Sequence, residues 1–330
     1  MLATLLAAMP VGAAEKNSDV TSTDRLQRED PFLPRPFKLR LDDRPSAGAV
    51  CYGPHRDGQR PGGSEPSLAQ LREDLRLLSP HWDLLRIYGA SGFAESLLSL
   101  IREDGRGMRV MLGVWISQDD TPANRREVEA AVRLAADYPE IVAAVCVGNE
   151  TQVSWSHDRC ETGFLVGYVR EVRARVAVPV TTADDFNYWN KAESRELAAE
   201  IDFITLHAHP MWNGRQLDEA LAWLSEQTSV VQALHPERVV VIGETGWATS
   251  VHDEGEQARL IQGRPGEAEQ KRFYGEVRAW AEAEGRTVFV FEAFDENWKG
   301  GPHPAEVEKH WGLYRADRSP KAAMAPAFGG

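Results

Sequence analysis

Eight short apolar runs alternate with amphipathic segments between residues 47 and 294, and no other feature of this 330-residue chain narrows its fold so far. The runs are AGAVCYG (47–53), LLRIYG (84–89), RVMLGVWI (109–116), IVAAVCVGNE (141–150), VPVTTAD (178–184), IDFITLHAH (201–209), RVVVIGETGW (238–247) and TVFVFEAF (287–294). Apolar runs of this length, separated by helical patterns, are the order expected of a parallel sheet. The segments 67–79, 93–104, 126–138, 164–176, 217–234 and 267–285 place apolar residues at i, i+3, i+4 and i+7, the stripe a helix packs on one face. Eight such units in about 280 residues predict an α/β fold, a single-domain (β/α)8 TIM barrel over 47–316. A doubly wound sheet is the structural alternative, but no G-x-G-x-x-G follows the first run and no G-x-x-x-x-G-K-[ST] occurs.

Outside the barrel the pattern stops. MLATLLAAMPVGAA (1–14) is too short to span a bilayer and resembles the apolar and small-residue parts of a secretory signal, without its basic start. The expectation is a periplasmic or secreted protein. Residues 15–46 are charged and Pro-rich and read as a linker or arm, and 317–330 as a C-terminal tail. The net charge of −13 and the lack of any basic stripe exclude nucleic acid and anionic membrane surfaces as partners, because both need Lys/Arg clusters to displace counterions. No membrane span is expected. Three cysteines without C-x-x-C spacing exclude a disulfide scaffold or a cysteine zinc site; Cys51 and Cys146, in apolar runs, read as small buried hydrophobes.

In a barrel the chemistry sits at the C-terminal strand ends. The fourth run ends in Gly148-Asn149-Glu150 and the seventh in Gly243-Glu244-Thr245-Gly246-Trp247. Strands four and seven lie nearly opposite across an eight-stranded mouth, so two carboxylates can flank one substrate bond. Glycoside cleavage needs that pair: one carboxyl protonates the leaving oxygen, and the other attacks the anomeric carbon or activates water. Two solvated rim carboxylates would be the bland alternative. Asn149, beside Glu150, can direct its amide at a sugar 2-hydroxyl, and Arg86, closing the second run, can keep a neighbouring nucleophile ionised. Tyr52, closing the first, is read as a subsite residue.

With AVCYGP, LRIYG, VGNE, GETGW and FEAFDENWK in that order, the chain resembles glycoside hydrolase family 17 over 47–316. The resemblance implies a β-1,3-glucan substrate, Glu150 as acid/base, Glu244 as nucleophile and retention of configuration. It implies either hydrolysis or glucan transglycosylation through one shared intermediate. It also places the Glu-Asn-x-Lys segment, here Glu296, Asn297, Trp298 and Lys299, in the cleft with Glu292. These read as hydroxyl ligands and electrostatic tuners, while Asp295 reads equally as part of a rim salt-bridge cluster.

Ten Trp, against seven Tyr and eleven Phe, is a high share. Trp115, Trp155, Trp189, Trp212, Trp247 and Trp298 fall at or beyond strand ends and read as sugar-stacking platforms, with Trp115 or Trp247 as the alternative cleft floor. Trp82, Trp223 and Trp280 lie in or beside helical segments and read as core. The sixth run ends in His207-Ala208-His209, which departs from the aromatic turn of related glycosidases. Both histidines read as sugar-hydroxyl partners; the competing reading is a metal-dependent hydrolase, since two imidazoles on one strand face can share a divalent ion. No third His closes strands five, seven or eight, so no metal and no cofactor is expected. A non-catalytic glucan-binding protein is the remaining alternative, and two like charges facing each other serve a binding groove poorly. A monomer is expected.

Overall fold

The computed structural model describes residues 33–38, 48–105 and 107–325. The signal-like segment 1–14 and most of the 15–46 arm lie outside these residues. Eight parallel strands close into a barrel in sequence order: β1 (Ala49–Cys51), β2 (Leu84–Ile87), β3 (Arg109–Val114), β4 (Val142–Asn149), β5 (Val180–Asp185), β6 (Ile204–His207), β7 (Val240–Thr245) and β8 (Val288–Val290). Every one falls on an apolar run read from the sequence. β1 pairs with β8, Val50 opposite Val290, which closes the ring. Every residue of β2 and β3 is buried, as expected where side chains face the barrel interior on one side and helices on the other.

The helices are α1 (Leu68–Leu78), α2 (Ala94–Asp104), α3 (Thr121–Asp137), α4 (Thr162–Arg175), α5 (Phe186–Trp189), α6 (Ser194–Ala198), α7 (Leu217–Leu234), α8 (Gly255–Leu260) and α9 (Glu267–Ala283). Ser67 and Gln70 start α1 with reciprocal side-chain bonds to the first-turn backbone. α3 begins five residues before its apolar periodicity because Asp120 caps Ala123 N–H and Pro122 suits the first turn. The short helices α5, α6 and α8 fall outside the six helical segments read from the sequence; they are too brief to carry a periodic stripe.

Two stretches expected outside the barrel pack onto it. In the arm, Arg35 holds Asp202 through its backbone N–H (2.7 Å) and Nε (3.0 Å), and Phe37 stacks on Phe203 at 4.5 Å. Beyond residue 316, Arg318 and Lys321 are both buried, paired with Asp74 and Asp295 at 2.8 and 2.7 Å. Among the described residues no helix is long and apolar enough to cross a membrane.

Candidate active site

Strand alternation decides which residues reach the mouth. On β2, Arg86 points inward and so does Tyr88 two residues on. Arg86, 1% exposed, is the hub of the site. Its Nη1 donates to Glu244 Oε1 (2.8 Å), to the Gly243 carbonyl (2.9 Å) and to His207 Nε2 (2.8 Å), and its Nη2 donates to Asn149 Oδ1 (2.6 Å). One guanidinium therefore ties β2 to the ends of β4, β6 and β7. Because Arg86 claims the Asn149 oxygen, that side chain keeps its NH2 as the group available to a ligand.

Glu244, 6% exposed, also accepts from Tyr88 Oη at 2.8 Å and lies 3.4 Å from His209 Nε2. Burial alone would raise its carboxyl, but the Arg86 guanidinium and His209 outweigh it and hold Glu244 well below the usual carboxylate range. Glu150 is more open. It sits at φ 50°, a left-handed conformation unusual for a residue with a side chain, with its N–H bonded to the Ala183 carbonyl at 2.8 Å. This bend, after Gly148 at φ 82°, turns the carboxylate away from the strand line.

His207 bridges the two carboxylates. Arg86 can only donate, so His207 Nε2 accepts; the ring proton then sits on Nδ1 and goes to Glu150 Oε1 at 2.8 Å. One donor or acceptor atom each from Glu150, His207 and Glu244 lie within 4.8 Å of one another. These could in principle hold a cation, but both His207 nitrogens and Glu244 Oε1 are already engaged, with the Arg86 charge in direct contact. The set is a hydrogen-bonded carboxylate pair rather than an open donor set for a metal. The sequence expected His207 and His209 to meet sugar hydroxyls; instead both turn to carboxylates, and His207 is fully buried.

Beside this pair, Lys299 Nζ holds Glu292 Oε2 at 2.6 Å and Glu296 Oε2 at 2.8 Å, while Trp298 Nε1 donates to Glu296 Oε1 at 3.0 Å. One ammonium serves two buried carboxyls. Burial pushes Glu292 well up, and its Oε1 has no hydrogen-bond partner. Glu296 is pressed upward by burial too, but Lys299 and His55 prevail and hold it down to about 2. Gly53 makes room for this cluster, since a Cβ there would strike the Glu296 carboxylate.

Three predicted site residues are elsewhere. Tyr52 is fully buried and donates to Asp74 Oδ2 in α1 at 3.0 Å; Cys51 faces the interior, with Sγ 3.2 Å from the Gly243 carbonyl, so its neighbour must face the helices. Trp247, 1% exposed, points outward from β7 by the same alternation, packs on Phe273 of α9 and donates to the Arg264 carbonyl. Trp189, fully buried in α5, donates to the Thr205 carbonyl. Of the six proposed platforms, Trp115, Trp155 and Trp298 are exposed and Trp212 is half-buried.

Four residues near the mouth escaped the sequence reading as site members. Tyr88 was legible, two positions beyond Arg86. Asp184 and Asp185 end β5 close enough to Glu150 to feel its charge; burial drives Asp184 well up and Asp185 to about 6. Half-buried Glu308 is raised by burial, against Lys299 and His209, with Glu150 and Glu244 adding to the rise. It lies in a three-residue 3-10 turn after β8, Val307–Lys309, too short to carry a periodic signal.

One carboxylate closes β4 and another β7, Glu244 held by Arg86 and both bordered by His207, and a carboxyl pair at a barrel mouth is the equipment of a glycosidase. The sequence profile of the BtgE/BtgC glycoside hydrolase domain matches residues 49–312. The chain belongs to that family. A glucan 1,3-beta-glucosidase of Arthroderma benhamiae is 28% identical over 277 residues, covering 80% of this chain and 86% of that protein. A second, from Schizosaccharomyces pombe, is 28% identical and covers 75% and 78%. The chain spans only 40% of a longer Aspergillus niger relative, at 29% identity. Among solved structures, an endo-laminarinase from Formosa superposes with a TM-score of 0.75 at 24% identity, covering 87% of this chain and 88% of that one. A glycoside hydrolase family 17 β-1,3-glucanosyltransferase from Rhizomucor miehei gives 0.69 at 24% identity, covering 84% and 96%. At that identity they show the shared barrel.

Proposed function

We propose that the protein cleaves β-1,3-glucan with retention of configuration, with Glu244 as nucleophile and Glu150 as acid/base. The observation that carries this reading is the approach of the two carboxylates: Glu150 and Glu244 each bring an oxygen within 4.8 Å of the other, bridged by His207. A separation of about 5–5.5 Å suits direct attack on the anomeric carbon, whereas water-mediated inversion needs about 6.5 Å or more. The β-1,3-glucan specificity is supported by the names of the Arthroderma and Schizosaccharomyces relatives.

In the first step Glu244, kept ionised by Arg86 and relieved of rotational freedom by Tyr88, attacks the anomeric carbon. Glu150 Oε1 is occupied by the His207 N–H, so its acidic proton resides on Oε2 and passes from there to the departing glycosidic oxygen. Esterification removes the charge of Glu244, and Glu150 then accepts a proton from the attacking acceptor. The Asn149 amide is placed to bond the sugar 2-hydroxyl, an interaction that strengthens as oxocarbenium character develops. Arg86 and His207 position these groups without touching the sugar. Water as acceptor gives hydrolysis and a glucan hydroxyl gives transglycosylation, which products longer than the donor reveal.

Glu150→Ala and Glu244→Ala are each expected to lose about 10²–10⁴-fold in kcat on laminari-oligosaccharides. Azide restores turnover in Glu244→Ala as a glycosyl azide of inverted configuration. Unchanged rates in both variants would falsify the assignment. The reading includes a monomer in a periplasmic or secreted location, the latter supported by the signal-like segment 1–14 and tested by fractionation of the native full-length chain.

A further inference from the structure

Two buried side chains of α3 hold the turns that follow β2 and β3. Asn124 takes the Ser117 N–H on Oδ1 at 3.0 Å and donates Nδ2 to the Ser117 carbonyl at 2.7 Å, which fixes the turn after β3. Glu127 stands three residues on, on the same face of the helix. Its Oε2 accepts the Ala90 N–H at 2.7 Å and reaches the Trp115 N–H at 3.5 Å. Its Oε1 accepts the Ser91 N–H at 3.1 Å and the Ser91 hydroxyl. Among the described residues these donors are three backbone N–H groups and one hydroxyl. A carboxylate that accepts from consecutive N–H groups fixes the turn that offers them, because such charge-assisted bonds are about twice as strong as neutral ones.

The turn after β2 leads straight back to the reacting groups. Tyr88, two residues before Ala90, gives its hydroxyl to Glu244 Oε1 at 2.8 Å, the same oxygen that Arg86 holds. With Oε1 taken by two donors, Oε2, 3.4 Å from His209 Nε2, is the oxygen left to attack. Its line of attack depends on where the Tyr88 hydroxyl sits. A Cβ on Gly113 of β3 would strike the Tyr88 carbonyl group, so a turn released from Glu127 cannot relax toward β3. We propose that Glu127 is a positioning residue for the nucleophile: it pins Ala90 and Ser91, and through them sets the Tyr88 hydroxyl that orients Glu244. It acts without touching the sugar. This rests on the reading of Glu244 as nucleophile above.

The test is a double-mutant cycle on laminaripentaose with Glu127→Gln, Tyr88→Phe and the two together. Glu127→Gln keeps the shape of the side chain but aims an NH2 at one of the donors. It is expected to lower kcat about 10–100-fold with KM within about threefold of wild type, since a misplacement of about 1 Å from a distant change costs on that order. Tyr88→Phe is expected to lower kcat by a similar factor. In the Tyr88→Phe background Glu127→Gln should cost less than about threefold more, because the hydroxyl it positions is gone. A general structural defect would cost the same factor in both backgrounds, and that result would overturn the proposal. So would wild-type kcat in either single variant, or a loss that falls on KM alone. Glu127→Ala, which brings no mismatched NH2, repeats the cycle should Glu127→Gln not fold; if neither folds, Glu127 serves the fold and the proposal is overturned. A wild-type enzyme inactive on the pentaose, or Glu244→Ala as fast as wild type, would instead overturn the nucleophile reading itself.

Discussion

Lys299 stands between two carboxyl groups, Glu292 and Glu296, that are almost sealed from solvent at 1% and 2% exposure. Two buried anions on one cation leave an uncompensated charge, and a proton on Glu292 removes it. With Lys299 donating to Oε2, that proton belongs on the unpartnered Oε1. Glu292→Gln reproduces this arrangement, its carbonyl facing Lys299 and its NH2 in place of the O–H. The variant should retain kcat/KM within about threefold, whereas Glu292→Ala should lose about tenfold or more. Stability supplies the second readout. An unfolded Glu ionises near about 4.3, but the folded site keeps its proton to higher pH, so wild type loses stability as pH rises above that value. Glu292→Gln escapes this loss, and its Tm advantage over wild type should widen from acid to neutral pH. A constant Tm difference across that range would show that Glu292 is ionised in the folded protein.

At the ends of β7 and β8 the strands approach so closely that a Cβ on Gly246 would land on the Phe291 carbonyl oxygen. Gly246→Ala must therefore push β7 away from β8 and displace Glu244 two residues earlier. The expected cost is about 1–3 kcal/mol in denaturant unfolding, with kcat falling more than KM changes; a variant with wild-type kcat would mean that β7 tolerates the shift. The same strand shows how far the sequence could be read. All eight strands were legible because a strand buried on both faces is a short apolar run. Glu150, Glu244 and Arg86 were legible because a charge that closes such a run has no packing reason to be there. Trp247 and Tyr52 were misplaced by counting every strand-end aromatic as facing the mouth, although the two-residue period sends alternate side chains outward to α9 and α1. Tyr88 was missed by the same oversight, and Glu308 because a single 3-10 turn is too short to show a period.

The molecule is also held together from its end. Asp74, fully buried in α1, takes two bonds of 2.8 Å from Arg318, one from Arg56 at 3.0 Å and one from Tyr52. Chain beyond residue 316 is thus clasped to the helix that follows β1, next to the β1–β8 seam. Arg318→Ala strips the bidentate partner from a buried carboxylate, and the expected loss lies toward the lower end of about 3–5 kcal/mol because Arg56 remains. A loss under about 1 kcal/mol in equilibrium denaturation would place the pair with exposed salt bridges instead. Charge and tryptophan content also take on meaning in the folded molecule. Part of the acidic excess is gathered at the mouth as Glu150, Glu244, Glu292, Glu296 and Glu308, each set against Arg86, Lys299 or the histidines. Trp298, Trp155, Trp115 and Trp212 follow strands of the barrel with surface to offer, while Trp189, Trp247 and Trp311 are sealed inside. The central claim joins these features into one reaction, double displacement at Glu244 assisted by Glu150. Proton NMR of the anomeric signals during the first minutes of laminari-oligosaccharide cleavage tests it most directly: new reducing ends should appear first in the β configuration and mutarotate later, and an initial α product would contradict the account.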